Sequence, residues 1–400
     1  MPTAIPCLLM RGGTSKGAFF NAADLPQDAP TRDRVLLAAM GSPDRRQIDG
    51  VGGGHSLTSK IGIVSLSAQA GVDLEFLFAQ VQPDQQMVDT RPNCGNMLAA
   101  AVPFALASGM LQAQGERATF RVLARNTGML ADISVPLSAG QLADGGDARI
   151  DGVPGSAAPI DICFLETAGS ICKQLLPTGH PRERMSVAGE GFAPFSLEVT
   201  CIDNGMPLVI FKAADMGVSG HETVAELEAN TDLRRRMEAL RLHAAQAMGL
   251  GDVAASNYPK MTMVAPPRQG GAISTRSFIP HVCHESIGVL AAVTVGTAIS
   301  LPGSICEGLA QRPADAEVET VAIEHPSGVL SVRLGRAAAQ ADAPPQVALL
   351  RTARLLMRGE VMVPSAVWAG RACRDTAGRP TVAPVPQLPE KTNGGATHDH

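Results

Sequence analysis

Short runs of apolar residues, or of alternating apolar and polar residues, recur along the whole chain. Examples span residues 61–66, 74–78 and 208–211, and glycine, proline, asparagine or aspartate separates such runs from their neighbours. Runs of this length with frequent turn residues are typical of short strands in antiparallel sheet. The pattern therefore predicts a sheet-rich α+β protein.

A few longer segments carry helical patterns instead. They cover residues 94–108, roughly 222–248, 284–300 and 346–358. Pro103 lies inside the first of these segments, where its ring and its missing N–H predict a kink unless the helix is packed on all sides. We therefore expect few helices among many strands.

A weak internal repeat relates two of these helices. Residues 98–102 align with residues 290–294, and this alignment of small, apolar residues places Ser286 opposite Cys94. The repeat predicts two pseudo-symmetric halves, each an antiparallel barrel-like sheet wrapped around one central helix. The alternative is a chance similarity, because Leu-Ala-Ala runs arise easily in an alanine-rich chain.

The length of the chain also predicts two domains, because 400 residues exceed what one ordinary hydrophobic core accommodates. Proline and glycine interrupt the strand pattern at residues 176–180, near the middle. We expect a first domain over residues 1–185 with central helix 94–108, a second over 186–385 with central helix 284–300, and a disordered polar tail over 386–400.

Composition limits the kind of partner. The chain is 45% hydrophobic, 18% charged and 3% aromatic, with a formal net charge of -5. Scarce aromatic residues and the lack of a basic run argue against nucleic acid. The eight cysteines form no CxxC pair, so neither a zinc ribbon nor a dithiol centre is indicated. Without a signal-like N-terminus or a membrane-length apolar run, we expect a cytoplasmic protein with a small ligand and no membrane partner.

A cysteine stands at the start of the first central helix, in the stretch RPNCGNM. A thiol at the first helical turn meets unpaired backbone N–H groups and the positive end of the helix dipole, which favour the thiolate and bound anions. We therefore expect Cys94 to be catalytic, with Arg91, Asn93, Gly95 and Asn96 beside the substrate. The alternative is a buried small hydrophobic residue, the usual role of a free cysteine.

A glycine-rich loop, DGVGGGHSLTSK, ends in Lys60 at the start of a predicted strand. The loop lacks the glycine and lysine spacing of a P-loop and precedes a strand, so nucleotide binding is disfavoured. A lysine at the mouth of a buried strand loses hydration, which lowers its pKa and makes its amine a competent carbon base. His55, Ser56 and Ser59 are then candidates for substrate binding. The alternative is a solvated lysine at a strand edge.

Two further stretches concentrate donors that suit carboxylates. RGGTSKG near the N-terminus and STRSFIPHVCHES before the second central helix combine arginine, hydroxyl and backbone donors. The candidate substrate-binding residues in these stretches are Arg11, Thr14, Ser15, Arg276, Ser277, His284 and Ser286. Capping of the second helix by Glu285 or Ser286 would explain part of this pattern without a functional role.

Together these motifs resemble the signature of a known family. RGGTS, GGHSLTSK, NCGNM, LPTG, DNGMP, PK, HPSG and RTAR follow one another within residues 3–366 and are similar to the 2-methylaconitate isomerase and 4-oxalomesaconate tautomerase family. The resemblance implies a diaminopimelate epimerase-like fold with the site between its two halves, and it implies no cofactor and no metal. It also implies that Lys60 and Cys94 form an acid–base pair.

Within that family, residues 277–286, with His281, His284 and Glu285, resemble the 4-oxalomesaconate isomerases that act after ring cleavage of protocatechuate or gallate. The resemblance implies a 1,3-allylic proton transfer in a small unsaturated tricarboxylate. Isomerisation of 2-methylaconitate or aconitate is the near alternative, and a non-catalytic protein that binds an anionic metabolite is the distant one. The sequence leaves the oligomeric state open, and a homodimer is one alternative.

The resemblance leaves two questions about the acid–base groups. The two-thiol racemases of this fold need a cysteine at the start of each central helix, whereas the alignment places Ser286 at the second. Two-thiol racemisation is therefore disfavoured, although Cys283 lies about one helical turn away and stays open. The sequence also leaves open which of Lys60 and Cys94 removes the proton and which delivers it.

Overall fold

The computed structural model describes residues 1–311, 318–335, 347–370, 373–374 and 380–381. Strands make up most of the regular structure, and the helices are few. The predicted α+β class is therefore confirmed, while the tail predicted over 386–400 lies outside the described residues. No helix in the described part of the chain has the length and apolar character needed to cross a lipid bilayer.

The helices within the described residues are α1 Ala29–Met40, α2 Gly95–Leu98, α3 Ala101–Ala107, α4 Val224–Ala229, α5 Thr231–Ala247 and α6 Val289–Ser300. The strands of the first part of the chain are β1 Thr3–Gly12, β2 Ser15–Asn21, β3 Lys60–Leu66, β4 Leu74–Val81, β5 Val88–Asp89, β6 Arg117–Ala124, β7 Met129–Ser138, β8 Gln141–Leu142 and β9 Ile160–Phe164. The remaining strands are β10 Glu183–Val187, β11 Phe195–Asp203, β12 Pro207–Lys212, β13 Lys260–Ala265, β14 Ile273–Ile279, β15 Val282–Cys283, β16 Val318–His325, β17 Gly328–Gly335, β18 Val347–Arg351, β19 Ala353–Val363, β20 Cys373–Arg374 and β21 Pro380–Thr381.

The strands of the two halves pair in the same order. In the first half, β1 pairs with β2, β2 with β3, β3 with β4, β4 with β6 and β6 with β7. The second half repeats this order from β11 to β17. The β2–β3 and β4–β6 pairs are parallel, as are β12–β13 and β14–β16, and the other pairs in the two series are antiparallel. The predicted repeat is therefore confirmed as a repeat of topology.

Two further pairings join the halves. β9 pairs with β18 in an antiparallel ladder, and β19 pairs with β1. The last long strand therefore returns to the sheet of the first half, while β10 pairs with β11 in the second. The domain boundary at residue 185 stays a prediction.

The central helices are surrounded by sheet because they are apolar on every side. Residues 97–106 of α2 and α3, with the turn between them, are all buried, and so are residues 291–299 of α6. A helix without a polar face needs contacts all round. Both helices belong to one hydrophobic cluster, so the two halves share a core.

The first central helix is interrupted close to its proline. α2 ends at Leu98 and α3 begins at Ala101. Pro103 has no N–H to donate to the carbonyl of Ala99, four residues earlier, and its ring crowds that carbonyl. The helix is therefore interrupted one turn before the proline, although residues 97–106 are all buried and packing on all sides was expected to prevent a kink.

The second central helix begins later than predicted. Val282 and Cys283 form β15 against β14, so the backbone turns helical only at Val289 rather than at residue 284. The residue that caps α6 is Gly288, just as Cys94 caps α2. The sequence alignment placed Ser286 opposite Cys94, but the N-cap residue equivalent to Cys94 in the structure is Gly288, two residues later.

The other two predicted helices had opposite outcomes. Residues 224–247 are helical, as α4 and α5, with Asn230 between them. The helix predicted over 346–358 is wrong. β18 pairs there with β17 and β9, and β19 pairs with β1, so tertiary strand pairing outweighs local helical propensity.

Candidate active site

The first turns of the two central helices meet in the middle of the molecule. Gly95 begins α2, and a Cβ atom placed on it would lie 3.2 Å from Cγ2 of Val289, the first residue of α6. Neither N-cap residue, Cys94 or Gly288, caps its helix with a side-chain hydrogen bond. The first turns of both helices therefore offer backbone donors to an anion bound between the halves.

Cys94 is partly buried at the N-cap of α2, where the sequence predicts it. Its backbone N–H donates a 2.8 Å hydrogen bond to Oδ1 of Asn93, and its own carbonyl accepts from the N–H of Leu98 at 2.9 Å. These bonds hold the residue extended and leave its thiol free of a capping bond.

Lys60 is the first residue of β3 and only 8% exposed. Its ammonium group donates a 2.6 Å hydrogen bond to Oε1 of Gln80 and lies 4.9 Å from the centre of the Phe78 ring. Burial lowers the pKa of Lys60, and the nearby charge of Cys94 partly opposes that shift. The structure therefore brings the two predicted acid–base residues together.

The glycine-rich loop holds the partner of Lys60 in place. Nε2 of Gln80 donates to the backbone carbonyls of Ser59 at 2.8 Å and Ser56 at 3.2 Å. With its NH₂ group used in this way, the amide of Gln80 presents its oxygen to Lys60. The carbonyls of Ser56 and Ser59 thus orient the site, although sequence analysis expected both residues to bind substrate.

Arg351, which sequence analysis did not select, lies beside the start of α2. Its Nε donates to Oδ1 of Asn96 at 3.0 Å, and Nδ2 of Asn96 donates to Oγ1 of Thr14 at 2.9 Å. Arg351 is 8% exposed, and burial lowers its pKa to about 10, an effect that Cys94 partly offsets. No carboxylate among the described residues forms an ion pair with Arg351, so this buried cation suits an anionic ligand.

A second group missed by sequence analysis, His325, lies on the side of the second half. Its Nε2 is 3.3 Å from Oγ of Ser286, and the N–H of Ser286 donates to Nδ1 of His284 at 2.8 Å. Burial lowers the pKa of His325 to about 4, although Asp151 opposes that shift. His325 is therefore a neutral hydrogen-bonding group near pH 7.

Electrostatic effects connect these groups across the two halves. The charge of Cys94 acts on both Lys60 and Arg351, and the cation of Arg351 in turn lowers the pKa of His325. The predicted residue His284 also lowers the pKa of His325. The lysine, the thiol, the arginine and the two imidazoles therefore lie close enough to influence one another's charge.

Arg276 and Ser277 lie on β14 and are both buried. Nε of Arg276 donates to the carbonyl of Glu222 at 2.8 Å, and burial lowers the pKa of Arg276. Oγ of Ser277 is 3.1 Å from Oγ1 of Thr262. Arg276 lines a cavity of about 420 Å³, as does Ser327. Arg276 is therefore a second buried cation, in addition to Arg351.

Two predicted arginines lie elsewhere. Nη1 of Arg11 donates to the carbonyl of Gly13 and to Oγ1 of Thr352, both at 2.9 Å, and so braces the turn after β1. Arg11 lines a different cavity, of about 720 Å³, whose lining residues do not include Lys60 or Cys94. Arg91 is exposed and forms two hydrogen bonds to Asp89, at 2.8 and 2.9 Å. The structure therefore does not bring either guanidinium into the cluster around Cys94.

Three further predicted residues have clear local environments. Ser59 is fully buried, donates to the carbonyl of Val81 and accepts from Gln47, both at 2.7 Å. Ser15 is 1% exposed, and its hydroxyl has no partner among the described residues. His55 is exposed, and its Nδ1 accepts from a backbone N–H at 3.1 Å.

Cys283 is not placed to act as a second thiol. It pairs with Phe278 at the β14–β15 turn, is 2% exposed and belongs to a hydrophobic cluster of the second half. Burial raises its pKa to about 11, which disfavours the thiolate. Cys283 is therefore a poor candidate for a second acid–base thiol. Among the described residues, no group of three or more His, Cys, Asp or Glu side chains is arranged to hold a metal ion.

A buried lysine with a lowered pKa near the thiol of the N-cap residue Cys94, next to an arginine without an ion-pair partner among the described residues, is suited to proton transfer on an anionic substrate. The chain matches the family described as PrpF protein over residues 3–364. It is 49% identical to 4-oxalomesaconate tautomerase of Pseudomonas putida, covering 92% of this chain and 98% of that protein. It is 48% identical to (4E)-oxalomesaconate Delta-isomerase of a Novosphingobium species (90% and 97%) and 36% identical to 2-methyl-aconitate isomerase of Shewanella oneidensis (89% and 96%).

A solved structure supports the same assignment. The crystal structure of methylitaconate-delta-isomerase superposes with a TM-score of 0.79 at 32% sequence identity, covering 92% of this chain and 97% of that one. The chain therefore belongs to the PrpF family. The predicted family resemblance and the predicted isomerase class are both confirmed.

Proposed function

We propose that the protein isomerises 4-oxalomesaconate by a 1,3-allylic proton transfer, in the breakdown of aromatic acids after ring cleavage. The observation that carries the reaction type is the placement of Lys60 beside Cys94 at the start of α2. The substrate is proposed because the two relatives named for oxalomesaconate are 48–49% identical over nearly the whole chain. Both kinds of support point to a small unsaturated tricarboxylate.

In the proposed mechanism, Lys60 is the base. Its lowered pKa increases the fraction of neutral amine at a given pH, and a neutral amine accepts a proton from carbon. The proton removed is acidic because its carbon is conjugated through a double bond to a carbonyl group. Loss of that proton leaves a dienolate, and Cys94 then delivers a proton to the other end of the allyl system. The double bond moves and no other atom is gained or lost.

Groups around the pair stabilise the negative charge of the dienolate. The backbone N–H groups in the first turn of α2 have no side-chain cap, so they are available to donate to a substrate bound at the start of the helix. Arg351 is buried beside Asn96 without an ion-pair partner among the described residues, and it is our candidate for one substrate carboxylate. His325 is neutral near pH 7 and supplies a hydrogen bond without repelling a cation.

The near alternative is an isomerase of 2-methylaconitate, because a relative of that name is 36% identical. The test is to incubate the purified protein in D₂O with 4-oxalomesaconate and, separately, with 2-methylaconitate, and to follow both by proton NMR. The proposal predicts deuterium in a product with a shifted double bond from 4-oxalomesaconate. Turnover of 2-methylaconitate alone would move the assignment to the second substrate, and exchange with neither would support a non-catalytic binding protein.

A further inference from the structure

The second half holds a lysine at the position that Lys60 occupies in the first. Lys60 is the first residue of β3 and pairs in parallel register with Gly17 on β2. Lys260 is the first residue of β13 and pairs in parallel register with Leu208 on β12. Because β3 and β13 are equivalent strands of the repeat, the two lysines are pseudo-symmetric counterparts.

Lys260 also lies at the start of the second central helix. A Cβ atom placed on Gly288 would be 3.8 Å from Nζ of Lys260, which is an ordinary van der Waals contact. Gly288 caps α6 as Cys94 caps α2. The ammonium group of Lys260 therefore occupies the space beside the missing side chain of the second helix cap.

Among the described residues, none forms an ion pair with Lys260. Within the described part of the chain its Nζ makes no hydrogen bond or ion pair, and burial is the one cause of its lowered pKa. Lys60, by contrast, donates to Gln80. The charge of Lys260 also lowers the pKa of His284, so the nearby imidazole does not neutralise it. A partly buried cation without a partner is costly unless a bound anion completes the site.

A second group, with one ring nitrogen that lacks a partner among the described residues, lies close to the start of α6. His325 is 8% exposed, and its Nδ1 is buried without a hydrogen-bond partner among the described residues. Its Nε2 lies 3.3 Å from Oγ of Ser286, two residues before the cap of α6. A buried polar nitrogen of this kind is normally satisfied by a ligand or water.

We propose that Lys260 contacts the substrate and binds one of its carboxylates at the start of α6, across the site from Cys94 and Lys60. This inference rests on the proposed function. Each half of the repeat then contributes a lysine with a different task. Lys60 exchanges a proton with carbon, while Lys260 binds as the ammonium, a form that the bound carboxylate itself favours, and holds the anion that fixes which carbon faces Lys60. Lys260 is therefore a specificity-determining residue for a substrate with carboxylates at both ends.

The test compares Lys260→Met and Lys260→Arg with a matched control, Lys212→Met. Lys212 is at the far end of β12, in register with Val264 on β13, so the control removes a lysine from the same pair of strands away from the helix start. Two quantities are measured. The first is KM and kcat with 4-oxalomesaconate, and the second is the calorimetric Kd of tricarballylate, a saturated tricarboxylate that has no double bond to move.

We expect Lys260→Met to raise both KM and the Kd of tricarballylate by ~10-fold or more, the loss expected for one charge-assisted hydrogen bond. Lys260→Arg should restore part of the binding, and Lys212→Met should behave as wild type. Unchanged KM and Kd in a folded Lys260→Met variant would overturn the inference, and so would a fall in kcat alone. If wild type binds tricarballylate and Lys260→Met does not, while neither candidate substrate turns over, the proposed function fails and the carboxylate site stands.

Discussion

The buried histidine of the second half leads to a prediction about stability at acid pH. His325 is 8% exposed, and burial lowers its pKa from 6.5 to about 4. In the unfolded chain the ring titrates near its ordinary value. Between these two values the unfolded state binds more protons than the folded state, so the folded state loses stability as the pH falls through this window.

The size of the effect follows from the shift. Lowering the pKa of His325 from 6.5 to about 4 corresponds to about 3 kcal/mol of unfolding free energy once the pH is below both values. At about pH 4.5 most of this, about 2 kcal/mol, has already been lost, and at about pH 7 almost none. Replacing His325 with glutamine removes the titrating group, so the variant should lack this part of the pH dependence.

The assay is urea unfolding of wild type, His325→Gln and a control, His180→Gln, at about pH 7 and about pH 4.5. His180 is exposed. We expect wild type and the control to lose about 2 kcal/mol more than His325→Gln between the two pH values. Equal losses in wild type and His325→Gln would refute the reasoning, because they would show that the folded state does not disfavour the charged ring.

Three further predictions concern the site and its packing. Cys94→Ser should lower kcat by ~10² or more with little change in the folded structure, since a hydroxyl is a much weaker acid than a thiol; steady-state kinetics with circular dichroism checks this. Arg351→Met should raise KM by ~10- to 100-fold through loss of a charged hydrogen-bond donor, and an unchanged KM would exclude it as a carboxylate ligand. Gly12→Ala should lower the free energy of unfolding by about 1–3 kcal/mol, because the new Cβ would lie 2.3 Å from the backbone oxygen of Asn96 in α2. The control Gly359→Ala, whose Cβ would have no atom within 4 Å, should leave the free energy of unfolding unchanged. Chemical unfolding of both variants checks this.

The features that the sequence predicted well are those with local causes. Alternating apolar runs predicted strands, and the small, apolar segments predicted two buried central helices. Cys94 was predicted as a site residue because it directly precedes one of these helices. Lys60 was predicted because it follows a glycine-rich loop and begins a buried strand. The structure adds their proximity to each other, which depends on how the sheet folds around α2.

The features that the sequence missed depend on distant contacts. Residues 347–351 have a helix-like composition but complete the sheet as β18, and the mistaken helix concealed Arg351 as a site residue. His325 ends β16, far along the chain from the Ser286 that it meets. The role predicted for Arg91 beside the substrate stays a prediction, and the structure shows its guanidinium bonded to Asp89, two residues earlier.

The most direct test of the proposed mechanism is the rate of deuterium incorporation from D₂O into 4-oxalomesaconate, measured by proton NMR with wild type and with Lys60→Met. Methionine keeps the length and apolar stem of the side chain but has no amine to accept a proton. The mechanism predicts deuterium in the shifted-double-bond product with wild type and a rate lower by ~10² or more with Lys60→Met. Incorporation at the wild-type rate by a folded Lys60→Met variant would contradict it.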